Sequence, residues 1–486
     1  MNIKMVFSIL GRTLLIEAVL MLCPLLVGII YGENTWSDYL IPIGILLAVG
    51  LPLTFIRIKD RSIHVKEGFV TVALVWILMS LVGAVPFVLS GAIPHYVDAL
   101  FETVSGFTTT GASIMDGVRT VAVDDLSHSL QFWRLSTHWI GGMGVLVFVL
   151  AILPGYNAGI MHVFRAESPG PSVGKLVSKL THTARILYGI YILMTVIEAI
   201  FLLCGGMNLY EAVVHAFSTA GTGGFGIKGD SVASYSVYHQ MVIAVFMFLF
   251  GINFNLYYLI LIGNFKKAIK SEEFIIYCTI VVSATLAIAI NILSLCVNFG
   301  DAVRLSFFQV TSLGSSTGFS TADFNEWPAL SQAILVALMV IGACGGSTGG
   351  GMKLSRAIIL VKSGFSDIRR ILHPHSVVTT KVEGEKLSKE TERNVHTYFM
   401  LWVAIVVICT ILLSIDYSDD FLTNFTASLS CIGNMGPGLN RVGPAGNYAF
   451  YSPYSKILLS FVMLIGRLEI FPIILMFSPR TWRRGS

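Results

Sequence analysis

The chain has 486 residues, of which 55% are hydrophobic and only 12% are charged, with a formal net charge of +4. Soluble globular domains carry about 25% charged residues, so this composition excludes a soluble enzyme and predicts an integral membrane protein without a nucleic-acid partner. The 7 cysteines lie in or beside apolar segments and form no CxxC pair, which argues against a disulfide framework or a cysteine metal site.

The predicted elements begin with two apolar spans and continue with eight more. A transmembrane helix needs about 20 largely apolar residues. Segments of that kind lie near 13–31, 39–56, 68–91, 131–153, 186–204, 238–262, 274–298, 329–361, 397–415 and 456–477. The span at 329–361 is too long for one helix and is interrupted by glycines. Because apolar segments recur to the end of the chain, the first is not expected to be a cleavable signal peptide.

Four shorter apolar pieces lie between these spans, near 98–110, 211–222, 301–316 and 420–433. They are too short to cross a bilayer and therefore predict re-entrant helices. Non-helical backbone at membrane depth must be buried in protein or line a cavity, so their glycine-containing ends predict a water-filled path. Most of the 32 Lys and Arg residues fall on the side of this arrangement that holds both termini. By the positive-inside rule, both termini are expected in the cytoplasm, and the four pieces enter from outside.

Each short piece ends in a similar segment. The four read Phe107–Gly111, Thr219–Gly223, Gly314–Gly318 and Ile432–Gly436. Their last glycines are separated by repeat-sized intervals, which predicts four copies of one unit made of a span, a short helix, a loop and a second span. One chain with four such loops can build a pore in which backbone oxygens replace the water around a cation.

The residues at the loop ends predict a site for a monovalent cation. They would present mainly backbone oxygens and no carboxylate, which suits K⁺ better than Ca²⁺, since Ca²⁺ usually recruits acidic side chains. Small-residue packing between helices is the alternative, and it explains one isolated Thr-Gly pair but not four in register. The predicted K⁺ ligands are Thr109, Thr110, Gly111, Gly221, Thr222, Gly223, Ser316, Thr317, Gly318, Asn434, Met435 and Gly436.

An acidic residue opens each short helix, and the four are Asp98, Glu211, Asp301 and Asp420. A carboxylate there stabilises the positive end of the helix dipole. The negative end would then point toward the glycine loop and favour a cation. Plain helix capping is the alternative for each residue taken alone.

A second unusual stretch runs from Gly342 to Lys353 and breaks its span with glycines. Its place, past the third loop and toward the inside, predicts an intramembrane gate, and a permissive kink with close packing is the alternative. The predicted gate residues are Gly345, Gly346, Ser347, Thr348, Gly349, Gly350 and Gly351. Arg467 is a charge inside the last span, where such a residue normally faces the bundle interior. It is expected to bind gate-loop carbonyls, to pair with Glu469 or to raise a barrier to cations.

Two strings imitate enzyme motifs. Residues 221–226 satisfy GxGxxG, but the dinucleotide motif needs a preceding strand and a following helix, whereas this string follows a short apolar helix. Residues 346–353 resemble a phosphate-binding loop, but Met352 precedes the lysine and Leu354 occupies the hydroxyl position. Neither string predicts an enzyme.

These motifs together resemble the Trk/Ktr/HKT superfamily of potassium transporters, in particular its TrkH-type membrane subunits. The resemblance rests on Val104–Ala112, on Ser218 and Thr219 with Gly223–Phe225, on Ser316–Phe319, on Asn434–Gly438, on the 345–351 loop and on Gly466–Glu469. It implies four M1–P–M2 units around a pseudo-fourfold axis, with one filter glycine in each at Gly111, Gly223, Gly318 and Gly436. It also implies K⁺ coordination by filter carbonyls, a gate loop opposed by Arg467, a homodimer and a cytosolic nucleotide-binding subunit of the TrkA type.

The sequence therefore predicts an all-α membrane protein of ten transmembrane helices and four re-entrant pore helices. The expected units are two extra N-terminal helices in 1–66, repeats in 67–160, 161–265 and 266–365, and a cytoplasmic loop with the fourth repeat in 366–486. The expected function is K⁺ uptake across a bacterial plasma membrane.

Two rival functions stay open. One is the same fold carrying Na⁺, or coupling K⁺ to Na⁺ or H⁺. In related plant proteins a serine in place of the first filter glycine goes with Na⁺ preference, so Gly111 favours K⁺. The other is a repeat-built secondary transporter of an organic solute, which would need helices broken within the spans. The sequence places the breaks between spans and argues against it.

Overall fold

The computed structural model describes residues 2–56, 65–144, 180–374, 379–417 and 420–479, and every structural statement below refers to them. In chain order the described α-helices are α1 Ile3–Leu20, α2 Leu22–Ile30, α3 Trp36–Thr54, α4 Val65–Gly83, α5 Val85–Leu89, α6 Tyr96–Phe107, α7 His128–Gly142, α8 Leu180–Cys204, α9 Leu209–Gly221, α10 Val237–Phe250, α11 Phe254–Leu261, α12 Phe265–Ile269, α13 Glu272–Asn291, α14 Phe299–Gly314, α15 Ala329–Ile341, α16 Leu354–Leu372, α17 Lys389–Asp416, α18 Phe421–Gly433, α19 Pro453–Arg467 and α20 Phe471–Phe477. A two-stranded antiparallel hairpin pairs β1 Lys381–Val382 with β2 Glu385–Lys386.

Six continuous helical stretches in the described part are long and apolar enough to cross a membrane. They are Ile3–Ile30, Trp36–Thr54, Glu67–Leu89, Ala184–Cys204, Glu272–Asn291 and Lys389–Asp416. Large apolar side chains such as Val19, Ile290 and Ile411 are exposed on them, by 63%, 67% and 60%, as expected for faces that contact lipid. The prediction of a mostly helical protein with several apolar spans is confirmed.

The predicted count of ten spans is not reproduced in the described residues. Two further spans are counted only if each of two sharply bent helix pairs is one span, α10 with α11 and α19 with α20, which raises the total to eight. The predicted span at 131–153 begins as α7, but its second half lies outside the described residues. The long span at 329–361 is divided into α15 and α16 by residues 342–353, as its glycines predicted.

Two spans predicted as continuous are broken. The helices α10 and α11 meet at 88°, and α19 and α20 meet at 119°. After α10 the Asn253 side chain accepts a hydrogen bond from the Asn255 amide at 3.0 Å and so starts a new helix. After α19 the backbone turns through Glu469 and Ile470, which have φ of 59° and 56°. These two bends were not predicted, whereas the break at 342–353 was.

The four short helices that we call pore helices are α6, α9, α14 and α18, and each matches one of the predicted re-entrant pieces. Asn208, Asn298 and Asp420 cap the last three, because their side chains accept hydrogen bonds from backbone amides of the first turn. One hydrophobic cluster extends from Met5 to Ile473 and packs pore helices α6 and α18 against the helices around them.

The acidic residues at the helix starts do not share one structural position. Asp420 is the cap itself and binds the Leu422 and Thr423 amides at 3.1 and 3.2 Å. Asp98, Glu211 and Asp301 lie three residues after the capping position of their helices. Plain capping, the alternative interpretation, is therefore what the contacts of Asp420 show.

The N-terminal helices α1 and α3 cross through two glycines. A Cβ added to Gly11 would lie 2.6 Å from the Leu53 Cβ and 2.8 Å from the Gly50 carbonyl oxygen. Small residues at such a crossing allow two membrane helices to approach closely.

We expect Gly11→Leu to push α1 and α3 apart and to destabilise the protein by about 1–3 kcal/mol, the usual cost of overpacking. Gly44→Leu on α3 is the matched control, because a Cβ at Gly44 meets no atom within 4 Å. Thermal unfolding in detergent measures both variants. Equal stability of the two would contradict the close crossing.

Candidate functional site

The four pore helices end in the same backbone geometry. The residue that leaves each helix has a left-handed conformation, with φ of 56°, 54°, 62° and 51° at Thr109, Thr222, Ser316 and Asn434. In each case the next residue donates its amide to the carbonyl of a serine five positions earlier. These bonds are Thr110 to Ser105 at 2.8 Å, Gly223 to Ser218 at 2.9 Å, Thr317 to Ser312 at 2.8 Å and Met435 to Ser430 at 3.0 Å. A fourfold structural repeat is therefore present in the main chain, whatever the side chains.

A glycine with positive φ follows in every loop. Gly111, Gly224, Gly318 and Gly436 have φ of 78°, 80°, 89° and 91°. The equivalent of Gly111 in the second loop is thus Gly224, one residue after the predicted Gly223. The sequence contained a signal for this register, because both Gly224 and Gly318 precede a phenylalanine. The four loops are accordingly Thr109–Gly111, Thr222–Gly224, Ser316–Gly318 and Asn434–Gly436.

These glycines close the four loops into one ring. A Cβ added to Gly111 would lie 1.9 Å from the Gly223 carbonyl oxygen, and one added to Gly224 would lie 2.1 Å from the Thr317 carbonyl oxygen. A Cβ added to Gly318 would lie 2.1 Å from the Met435 carbonyl oxygen, and one added to Gly436 would lie 2.8 Å from the Thr110 carbonyl oxygen. Each loop therefore meets the carbonyl of the next, and the fourth meets the first. Side chains are excluded at these points both by the positive φ and by the lack of space.

A cavity of about 170 Å³ is lined by all four of these glycines, on the side of the ring that the charge distribution predicts to be the outer side. The charged residues lining it are Arg134 and Lys228, and its described lining contains no Asp or Glu. Any cation that reached the ring from this cavity would have to be bound by backbone and hydroxyl oxygens. The described residues also hold no group of three or more His, Cys, Asp or Glu that could bind a metal ion.

Hydrogen bonds between side chains tie the loops together from behind. Asn434 donates to the Thr110 hydroxyl at 2.9 Å and to the Met463 carbonyl at 3.0 Å, so it joins the fourth loop to the first. Thr108 and Thr110 share a hydrogen bond at 2.8 Å, and Ser315 and Thr317 share one at 2.7 Å. Asn434, a predicted ligand, thus uses its side chain as a cross-link.

His138 is a site residue that the sequence analysis missed. Its ring is buried, with Nδ1 2.7 Å from the Gly106 carbonyl and Nε2 3.3 Å from the Phe225 amide nitrogen. Since the amide must donate to Nε2, the proton is on Nδ1, and the neutral ring links the first pore helix to the second loop. Its only signal in the sequence was a polar residue within a predicted span.

The glycine-rich segment between α15 and α16 lies against the C-terminal ends of the third and fourth pore helices. The Gly351 amide donates to the Gly433 carbonyl at 2.7 Å, and the Gly350 amide donates to the Ser316 hydroxyl. A Cβ at Gly349 would lie 2.5 Å from the Ser315 oxygen. Lys353 extends back to the Gly349 carbonyl, a contact that the sequence did not reveal.

The first half of the same segment contacts other elements. The Gly345 amide donates to the Glu273 carboxylate at 2.7 Å, and the Gly346 carbonyl accepts from the Phe254 amide at 3.0 Å. Ser347 bonds to the Cys344 carbonyl, and Thr348 bonds to the Phe250 carbonyl at 3.3 Å. Of the predicted gate residues, Gly349–Gly351 are therefore the ones that contact the ends of the third and fourth pore helices.

Arg467 joins this segment to the other half of the ring. Its guanidinium donates to the Thr348 carbonyl at 3.2 Å and to the carbonyls of Gly141 and Gly142. Those two glycines pack beneath the first and second loops. A Cβ added to Gly141 would lie 1.9 Å from the Phe107 carbonyl oxygen, and one added to Gly142 would lie 2.7 Å from the Gly221 Cα.

Of the partners expected for Arg467, the gate-loop carbonyl is present. Glu469 forms an ion pair with Arg356 instead, at 2.6 Å. The enzyme-like strings are accounted for as well, because residues 221–226 form the end of α9 with the second loop, and residues 346–353 form the glycine-rich segment.

Comparison with known proteins identifies the family of the chain. The family of TrkH cation transport proteins matches residues 41–484. Trk system potassium uptake proteins TrkH of Salmonella typhimurium and Escherichia coli are each 33% identical to this chain, over 99% of its length and 100% of theirs. The crystal structure of the potassium transporter TrkH from Vibrio parahaemolyticus superposes with a TM-score of 0.88 at 30% identity, covering 99% of this chain and 100% of that one. The chain therefore belongs to the TrkH family of cation transport proteins and is a membrane transporter rather than an enzyme.

Proposed function

We propose that this chain takes up K⁺ through the ring of four loops, with backbone carbonyls replacing the water around the ion. The observation that carries the proposal is the closure of the ring, in which each loop meets a carbonyl of the next through a glycine. The relatives named as potassium uptake proteins support the choice of K⁺.

The proposed ligands are those of the sequence analysis with the second loop moved by one residue, to Thr222–Gly224. A site without carboxylates favours a monovalent ion, because little negative charge is available to offset the dehydration of a divalent one. The carbonyl ends of the pore helices add partial negative charge on the inner side of each loop.

The glycine-rich segment and Arg467 form the proposed gate. The segment lies beneath two loops, and the guanidinium connects it to the glycines beneath the other two. A fixed positive charge there repels cations, so opening requires that Arg467 release the Thr348, Gly141 or Gly142 carbonyls.

The remaining parts of the proposal concern the cell. We place the chain in the bacterial plasma membrane with both termini in the cytoplasm, as a homodimer controlled by a cytosolic nucleotide-binding subunit of the TrkA type. The support is the distribution of basic residues and the family resemblance. We also keep the five sequence units, 1–66, 67–160, 161–265, 266–365 and 366–486, as the proposed repeat boundaries.

The organic-solute alternative gains one argument, because three spans are broken. Two of these breaks, the bend after α10 and the 342–353 segment, are nevertheless joined by main-chain hydrogen bonds. The Cys344 amide donates to the Gly251 carbonyl at 3.1 Å, and the Phe254 amide donates to the Gly346 carbonyl at 3.0 Å. Backbone groups that are satisfied in this way support a closed gate better than a solute site.

Cation flux into proteoliposomes that hold the purified chain tests the function. With no imposed Na⁺ or H⁺ gradient, we expect K⁺ and Rb⁺ to enter well ahead of Na⁺ and Li⁺. Flux that appears only with an imposed Na⁺ or H⁺ gradient would instead favour the coupled alternative of the same fold.

Gly111→Ser should lower the permeability ratio of K⁺ to Na⁺ at least about tenfold, a change worth about 1.4 kcal/mol. The added Cβ would collide with the Gly223 carbonyl, 1.9 Å away, and displace the second loop. Gly91→Ser is the matched control, since Gly91 also has positive φ, at 74°, but no atom lies within 4 Å of its Cβ position. Equal ratios in wild type and Gly111→Ser would contradict the filter.

Arg467→Ala should raise the basal K⁺ flux about tenfold or more, because it removes charge-assisted hydrogen bonds that hold the proposed gate closed. Arg441→Ala serves as the control, since Arg441 lies in the outer loop and donates to the Tyr417 hydroxyl at 3.1 Å. Fluorescence-detected size exclusion would verify the folding of both variants. Unchanged flux in folded Arg467→Ala would reduce this arginine to a packing role.

A further inference from the structure

A buried ion pair lies directly behind the first two loops. Glu102 on α6 accepts a hydrogen bond from Arg134 Nε on α7 at 2.7 Å, and their side chains are 0% and 3% exposed. Removing one partner of such a pair leaves an uncompensated buried charge, which is strongly unfavourable.

Both side chains of the pair also bind the backbone that leaves the ring. Glu102 accepts from the Ile114 amide and from the Ser113 hydroxyl, each at 3.0 Å. Arg134 donates to the Gly226 carbonyl at 3.0 Å and lies 3.6 Å from the centre of the Phe225 ring. The pair thus holds Ser113 and Ile114, which follow the first loop, and Phe225 and Gly226, which follow the second loop.

At the aligned positions of the described residues, the other repeats have no equivalent ion pair. Aligned on the four serines that accept the loop amides, the counterparts of Glu102 are His215, Gln309 and Ala427. Aligned on the helix starts, the counterparts of Arg134 are Ile243, Leu335 and Leu459. The ionic anchor therefore acts on one side of a ring whose main chain is fourfold.

The position of Arg134 gives the pair a second consequence. Arg134 lines the outer cavity through which a cation would approach the ring. Glu102 compensates its charge there. Loss of Glu102 alone would expose cations to a positive charge, whereas loss of both would not.

We propose that Glu102 and Arg134 are positioning residues that set the ion specificity of the ring by fixing the first loop against the second. The proposal rests on the proposed function, since it requires the ring to be the filter. It makes specificity depend on an asymmetric anchor and not on the carbonyls alone.

The test compares Glu102→Gln with a control in a second buried pair. Asp98 and Lys456 also join α6 to another helix, at 2.7 Å, with side chains 10% and 3% exposed. The hydrogen bond between Lys456 and Asp98 links α6 to α19 and involves neither a loop residue nor the backbone that follows the loops. We expect Glu102→Gln to lower the K⁺ to Na⁺ permeability ratio at least about fivefold, and Asp98→Asn to leave it within about twofold of wild type.

A double variant separates the two consequences. In Glu102→Gln with Arg134→Met, removal of both charges should restore much of the K⁺ flux lost in Glu102→Gln, while the permeability ratio stays low because both anchors are gone. A ratio that recovers with the flux would overturn positioning in favour of charge alone.

Ser113→Ala is the milder variant if Glu102→Gln does not fold, because the Ser113 hydroxyl contacts both members of the pair. Its readout is the thermal stabilisation by K⁺ relative to Na⁺, which we expect to shrink by at least half. Suppose that Gly111→Ser alters selectivity. The inference would then be overturned if Ser113→Ala kept the wild-type difference between stabilisation by K⁺ and by Na⁺, or if folded Glu102→Gln kept the wild-type permeability ratio. If neither Gly111→Ser nor Glu102→Gln changes selectivity, the proposed filter itself fails.

Discussion

The contact between one loop's glycine and the next loop's carbonyl is the constraint on which this structure depends. At these points the chain cannot carry a Cβ, because the oxygen of the neighbouring loop occupies its place. The size of the ring is therefore fixed by main-chain atoms, whose covalent geometry is constant. Side chains behind the loops act on the ring by holding neighbouring loops against one another, as Asn434 does for the fourth and first loops.

Below the ring, some backbone amides and carbonyls have no partner within a helix and must be satisfied by other groups. Three spans break there, and their free amides and carbonyls bind one another, Arg467 or Glu273. Such mutual satisfaction allows irregular backbone in an apolar surrounding. The proposed gate would open by exchanging these hydrogen-bond partners, without unfolding any helix.

The four repeats agree in backbone and differ in side chains. A helix follows each of the four loops. In the first three repeats, a glutamine in the first turn of that helix donates to a backbone carbonyl just before the helix. In the fourth repeat Lys456 occupies the same position and forms an ion pair with Asp98. The residues involved are Gln131, Gln240 and Gln332. Backbone equivalence thus permits each repeat to acquire its own anchors, and the Glu102–Arg134 pair is the anchor that holds the backbone leaving the first and second loops.

The sequence by itself determined the class of protein, the four short helices and three of the four loop registers, because hydropathy, length and Thr-Gly or Met-Gly endings are local properties. It also predicted that glycines interrupt the helix after Ile341, and residues 342–353 do separate α15 from α16. The register of the second loop was one residue wrong, since three nearby glycines look alike until hydrogen bonds to Ser218 and contacts with Thr317 distinguish them.

The sharp bends after α10 and α19, the partners of Arg467 and the roles of His138 and Glu102 were decided only by the tertiary structure. Each depends on groups brought together from distant repeats, as when Arg467 reaches Gly142 or His138 reaches Phe225. Hydropathy reports how apolar a residue's neighbours in sequence are. It contains no information on which carbonyl from another repeat will lie within hydrogen-bonding distance, and that is what positions the site.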